Sequence, residues 1–221
     1  MATKIDDKLK IVSFLTDDIL RPAVQQIKVD AGDKLESIQI QIATKGYENR
    51  KDPKMTKEIK FPYHMRLKPD TCAIGDQRAK EIADANNIPF ALITDFEGNT
   101  PEKIKQRAKF MKNFSYFICC PGYNKAFNLK EILMKKKTHF MCNSIEQLPN
   151  VYDSCRYIYK LKVKDWHSLS FPVGHTGLTE DQIVDNLKSS IQFLADNLKK
   201  GPLNIKDCYI KRTTGKKIKL Y

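Results

Sequence analysis

The stretch Ser37-Ile38-Gln39-Ile40-Gln41-Ile42 alternates strictly, with three isoleucines on one face and Ser37, Gln39 and Gln41 on the other. Successive side chains of a strand point to opposite faces, so one face belongs to a core and the other stays polar. On the N-terminal side, Ile5, Leu9, Val12, Leu15 and Ile19 recur at helical spacing as far as Arg21-Pro22, which predicts an amphipathic helix ending there. On the C-terminal side, Glu58-Ile59-Lys60-Phe61 reads as a second short strand.

The texture changes near Phe61-Pro62-Tyr63. Thr71-Cys72-Ala73-Ile74, Phe90-Ala91-Leu92-Ile93 and Tyr116-Phe117-Ile118-Cys119 are short apolar strands, separated by helical stretches at Gln77 to Ala85 and Pro101 to Lys112. Such alternation predicts βαβ units on a parallel sheet. Near Cys155-Arg156 the half-polar texture returns. Tyr157, Tyr159, Leu161 and Val163 fall on one strand face, and Lys160, Lys162 and Lys164 form a cationic strip on the other, which an edge strand guarded against aggregation would also show. Thr179 and Gln182 have capping-box spacing ahead of the stripe Ile183, Leu187, Ile191, Leu194 and Leu198, and Gly201-Pro202 stops that helix. A last strand, Ile205 to Lys211, leads into the C-terminal run. The expected class is α/β (α+β): residues 1–65 and 157–221 form one split domain from both chain ends, with a βαβ domain, 66–156, inserted between them.

With 221 residues, 41% of them hydrophobic, the chain is too apolar for wholesale disorder. The 39 Lys+Arg against 26 Asp+Glu give a formal +13, which favours a polyanionic partner because each neutralised phosphate releases condensed counterions. Nucleic acid and an anionic membrane surface are the candidates. Residues 1–65 hold 12 basic and 10 acidic side chains, 66–156 hold 15 and 10, and 157–221 hold 12 and 6, so the last third is expected to supply much of the binding surface. Its final run, Lys211-Arg212-Thr213-Thr214-Gly215-Lys216-Lys217-Ile218-Lys219-Leu220-Tyr221, carries five cations and no acid. Thr213 and Thr214 add hydroxyls and Gly215 allows close backbone approach, as a phosphate-facing edge requires.

No apolar run approaches the roughly 20 residues that cross a bilayer, and Met1 to Asp7 lacks the apolar stretch of a signal peptide, so a soluble protein of the cytosol or nucleus is expected. Six cysteines without a Cys-x-x-Cys pair read as free, mostly buried thiols.

Catalytic chemistry finds little support. Ile74-Gly75-Asp76-Gln77 is a strand-to-helix turn where a pyrophosphate could sit, but no further glycine follows before Gly98, so a plain helix start is the better reading. His64, His139, His167 and His175 are scattered, without a metal or nucleophile signature. Val173-Gly174-His175 is placed in the loop leading to the capped helix, where read alone the histidine is structural. Lys135-Lys136-Lys137, and Lys105, Lys109 and Lys112 at helical spacing, are each ordinary solvated faces when taken singly. Several separate basic surfaces suit folded RNA better than DNA read by a helix in a groove, and zinc-finger, basic-zipper and RNA-recognition-motif signatures are absent.

Val173-Gly174-His175, Leu178-Thr179-Glu180-Asp181-Gln182-Ile183-Val184, Phe193-Leu194, Leu198-Lys199-Lys200 and Tyr209 to Lys216, closing on Leu220-Tyr221, strongly resemble the eukaryotic form of the universal ribosomal protein L-one family, also called L-ten-a. Leu35 to Gln41 resembles the family's first strand motif, and Gly75-Asp76-Gln77 the start of its inserted domain. The resemblance implies a split rRNA-binding domain with an inserted Rossmann-like domain, and no enzymatic activity or cofactor. It also implies a place in the cytoplasmic large subunit, as the mobile stalk that grips rRNA helices and moves with deacylated tRNA leaving the exit site. Carried over by position, rRNA contacts fall on Glu36, Ser37, Gln39, Thr213, Thr214 and Gly215. Lys211, Lys216 and Lys217 add charge, and Gly174, His175 and the Lys160, Lys162 and Lys164 strip complete the set. Lys34 stands where the family often has Phe, putting a phosphate contact in place of an apolar one. The family's Gly-Pro-Gly-Leu-Asn-Lys-Ala-Gly-Lys loop is missing near Ile132 to Lys137, with a partial echo at Pro121 to Ala126, which leaves Lys125, Lys135, Lys136 and Lys137 as the tRNA-facing residues. Two alternatives remain at this stage: a Rossmann-like nucleotide-binding enzyme centred on Gly75-Asp76, and a free RNA-binding translational regulator using the same surface.

Overall fold

The computed structural model describes residues 16–67, 70–98, 100–122, 137–163 and 165–221. The chain divides into two compact units, one made of 1–67 with 157–221 and the other of 68–156.

In the first unit, Ser37–Thr44 (β1) lies at the centre of a four-stranded antiparallel sheet. Ser168–His175 (β8) flanks it on one side and Ile205–Arg212 (β9) on the other, with the short strand Ile218–Lys219 (β10) beyond β9. The alternation of β1 is realised residue by residue, with Ile38, Ile40 and Ile42 all buried. They pack with Phe171, Val173 and Ile210 against two helices, Asp17–Ala31 (α1) and Glu180–Asn197 (α5). Burial of each such side chain contributes about 1.5–3 kcal/mol. On α5, Thr179 and Gln182 form the reciprocal capping box, and Ile183, Leu187, Ile191, Leu194 and Leu198 are buried. A separate antiparallel pair, Thr56–Lys60 (β2) with Ile158–Lys162 (β7), sends Ile59 and Leu161 into the same core.

Asn186 of α5 is fully buried and binds two strands of chain at once. Its Oδ1 accepts from the Tyr63 amide at 3.1 Å, while its Nδ2 donates to the carbonyls of Tyr63 at 3.2 Å and Val173 at 2.8 Å. Val173 needs that partner because the β1–β8 register jumps from Ile38↔Gly174 to Gln39↔Pro172, leaving Val173 in a bulge.

In the second unit, Thr71–Gly75 (β3), Phe90–Leu92 (β4), Tyr116–Cys119 (β5) and Thr138–Met141 (β6) form a parallel sheet in the order β4-β3-β5-β6. Every residue of β3 is buried, as a strand covered on both faces requires. Among the described residues its helices are Gln77–Ala85 (α2), Pro101–Asn113 (α3) and Leu148–Tyr157 (α4). The whole is a mixed α/β structure.

Three readings of the sequence need correction. The first helix does not stop at Arg21-Pro22; α1 begins at Asp17 and runs through Pro22 to Ala31. Pro22 removes one hydrogen bond, to the Asp18 carbonyl, but both residues are exposed and the buried stripe Leu20, Ala23, Val24, Ile27 carries the helix past it. Residues 5–15 of the expected helix lie outside the described residues. Val173-Gly174-His175 is not a loop but the end of β8, paired to β1. Tyr157 ends a helix and does not begin a strand. The basic terminus is built into the sheet: β10 pairs with β9, Leu220 is buried, and its amide donates to the Cys208 carbonyl at 2.8 Å.

Candidate nucleic-acid interface

The start of β1 and the end of β9 come together because the two strands are antiparallel neighbours, with Ile38 opposite Arg212. Beyond that pair, the Thr213 amide donates to the Ser37 carbonyl at 3.1 Å and the Thr213 hydroxyl to the same oxygen at 3.3 Å. On the other flank, the Thr176 amide donates to the Glu36 carbonyl at 2.9 Å, and the Thr176 hydroxyl accepts from the Glu36 amide at 3.0 Å and donates to the Lys34 carbonyl at 2.8 Å. The backbone of Lys34 to Ser37 is thus fixed from both sides, while the Lys34 and Leu35 side chains stand exposed.

Glu36 is the hub. Its carboxylate accepts from the Thr214 hydroxyl at 2.8 Å, from the Thr214 amide at 3.1 Å and from Arg212 Nη1 at 3.1 Å. The Thr214 hydroxyl and amide, followed by the Arg212 and Lys34 charges, hold this carboxyl below its ordinary pKa, so it is ionised wherever the protein is folded near neutrality. A carboxylate beside RNA phosphate is repulsive; one saturated by three internal donors instead fixes the geometry of the loop that carries the cations. Gly215 belongs to the same construction. A Cβ there would lie 2.3 Å from Arg212 Cγ, a clash near the backbone that rotation of the guanidinium cannot relieve. Glycine is needed for this close approach within the chain, and its φ lies outside the left-handed region.

Lys211 is half-buried opposite Gln39, and Lys216 and Lys217 are exposed, so the sequence-predicted residues Lys34, Glu36, Ser37, Gln39, Lys211, Thr213, Thr214, Gly215, Lys216 and Lys217 gather at one end of the sheet, where β1 begins and β9 ends. Gly174 and His175 lie beside them but inside: both are buried, His175 faces Ser37 across the ladder, and neither ring nitrogen has a hydrogen-bond partner. Burial, then the neighbouring His64 ring at 5.0 Å, lowers the His175 pKa and keeps the ring neutral.

Lys160 and Lys162 belong to the separate β2–β7 pair, where Lys160 is bridged to Glu58 at 3.1 Å. Lys164, Lys125, Lys135 and Lys136 lie outside the described residues. Lys137 donates to the Phe114 carbonyl at 2.6 Å, so its ammonium is anchored on its own unit. Sequence reasoning missed Thr176 and the anchoring role of Arg212. Arg212 was visible as a cation inside the run, but Thr176 carries no local signal, since its partners are 140 or more residues away.

The glycine turn at the end of β3 is filled by the protein itself. A Cβ on Gly75 would meet Cys120 Cβ at 2.8 Å, Ala79 Cβ at 3.2 Å and Phe90 Cζ at 3.2 Å, so the glycine serves strand-to-helix packing.

The chain is 32% identical, over 95% of its length and 96% of the relative's, to the large ribosomal subunit protein uL1 of Encephalitozoon cuniculi (strain GB-M1). It is 30% identical to the protein of that name from Entamoeba histolytica, again over 95% of the chain and the whole of the relative, and 29% identical to that of Caenorhabditis elegans over the same shares. The sequence model of the Ribosomal protein L1p/L10e family matches residues 25–216, a span that takes in β1, β8, β9 and the loop closed by Glu36, and the chain belongs to that family.

Proposed function

We propose that this protein is a non-catalytic structural constituent of the large ribosomal subunit, binding rRNA through the end of the sheet where β1 begins and β9 ends, together with the 213–217 loop. The observation that carries this reading is the Glu36–Arg212–Thr214 cluster. It orders a loop between the cations Lys211, Lys216 and Lys217, in a chain similar along 95% of its length to proteins named uL1. In this reading the lysines supply salt-dependent phosphate attraction, while Ser37, Thr213 and the backbone near Gly215 supply fit. In this reading 1–65 with 157–221 is the rRNA-binding domain, and the subunit element it builds is the mobile stalk over the tRNA exit site. Lys125, Lys135 and Lys136 then face departing deacylated tRNA, and the protein works in the cytoplasm.

The test is hydroxyl-radical footprinting on large-subunit rRNA together with the salt dependence of binding. A discrete protected region and a slope of log affinity against log salt of roughly −0.7 to −0.9 per phosphate contact are expected. Absence of the protein from purified large subunits, with no protected rRNA, sinks the proposal.

A further inference from the structure

The four-stranded sheet has two faces of different chemistry. Helices α1 and α5 share a core with one, through Ile38, Ile40, Ile42, Phe171 and Ile210. On the other, Gln39, Gln41, Tyr209 and Lys211 are half-buried and Ser170 is exposed. The ladder lines them up in rows. Lys219, Tyr209, Gln41 and Ser170 are successive cross-strand partners from β10 to β8, and Lys211 and Gln39 are partners in the adjacent row. Lys217 reaches over the Tyr209 ring, with its Nζ 5.4 Å from the centroid. Lys219 at the far edge is bridged to Asp207 at 3.2 Å. A half-exposed aromatic ring, two side-chain amides and a border of lysines therefore lie on one open surface, continuous with the Glu36 cluster through Gln39 and Lys211.

We propose that this sheet face is a platform for single-stranded RNA, on which one unpaired base stacks on Tyr209. The inference rests on the rRNA-binding reading and adds to it the kind of RNA segment bound. A duplex offers its phosphates but keeps its bases stacked and inaccessible, so a lone tyrosine on a sheet face gains nothing from it. An unstacked base has a face for the ring and free edges for amides. Gln39 and Gln41 each carry both a donor and an acceptor at strand spacing from the ring, suited to a base edge. Lys217 holds the ring face by cation–π attraction in the free protein, and the incoming base displaces it toward that nucleotide's phosphate. The ring serves fit and not charge, which separates its contribution from that of the lysines.

The experiment compares the full chain with Tyr209→Phe, Tyr209→Thr and Lys217→Ala, each checked for an unchanged thermal midpoint, in binding to a transcript of the protected large-subunit rRNA segment over a salt series. Threonine keeps strand propensity without a ring, so loss of folding does not confuse the result. Tyr209→Thr should bind roughly 10- to 100-fold more weakly at every salt concentration with the salt slope unchanged, and Tyr209→Phe should bind as the wild type does. Lys217→Ala should instead flatten the slope by roughly 0.7. A transcript in which the protected unpaired bases are closed into a duplex should lose the difference between Tyr209→Thr and wild type. Equal affinities of Tyr209→Thr and wild type for the original transcript overturn the stacking proposal alone, whereas failure of the wild type to bind any large-subunit rRNA overturns the rRNA-binding reading with it.

Discussion

At the scale of single residues, Glu36 and Gly215 carry two predictions. The Glu36 carboxyl is held below its ordinary pKa by Thr214 and Arg212, so the folded state binds its proton less readily than the unfolded chain does. Its contribution to stability is therefore complete above the unfolded value and is lost as pH falls through the depressed folded value. The Thr214 amide resonance should titrate below the usual carboxylate range in the wild type and lose that transition in Glu36→Gln; a midpoint at or above the model-peptide value refutes the assignment. Gly215→Val forces Arg212 off Glu36, because the added Cβ would sit 2.3 Å from Arg212 Cγ. It should weaken rRNA binding by about 1–3 kcal/mol at fixed salt, the scale of one or two lost hydrogen bonds to charged groups. An unchanged Kd would show that the loop geometry does not matter to the complex. Glycine at 215 could be singled out from sequence as a point of close approach, but what approaches it is the protein's own arginine, and only the fold brings that side chain there.

At the scale of elements, the most legible pieces were those whose signal is local. The capping box of α5 needs only Thr179 and Gln182, three residues apart, and the strands β1, β3 and β5 need only their own side-chain patterns. Thr179→Ala should lower the free energy of unfolding by about 1 kcal/mol in a urea titration, with an unchanged m value, since a buried stripe still holds the helix. No change in midpoint would mean that water replaces the cap without loss. Strand β8 was hidden for the opposite reason. Val173-Gly174-His175 looks like a loop because glycine packs nothing, and the preceding Pro172 cannot donate to a ladder; here they end an edge strand at a bulge, where both are tolerated. Pro22 misled in the same way, marking a helix end where the packing of Leu20, Val24 and Ile27 outweighs one missing hydrogen bond.

At the scale of the molecule, the first unit exists because β1, from the beginning of the chain, lies between β8 and β9, from its end. Asn186 fastens the same two regions, joining Tyr63 to Val173 across α5. Asn186→Ala leaves buried backbone groups without partners and should cost about 2–3 kcal/mol of global stability, read as a lower urea midpoint of the transition that reports the four-stranded sheet. A loss of less than about 0.5 kcal/mol would mean that the bulge relaxes onto other partners. The sequence by itself determined the α/β class, the alternation of β1, the capped helix and the excess of cations at the C-terminus, because each rests on interactions among residues near one another in the chain. The tertiary structure alone decided that Glu36 serves Arg212 and Thr214, that Thr176 pins the first strand, and that Tyr209, Gln41 and Ser170 form a row. Those contacts join residues up to 178 positions apart, and side-chain periodicity says which face a residue occupies but not which strand lies beside it.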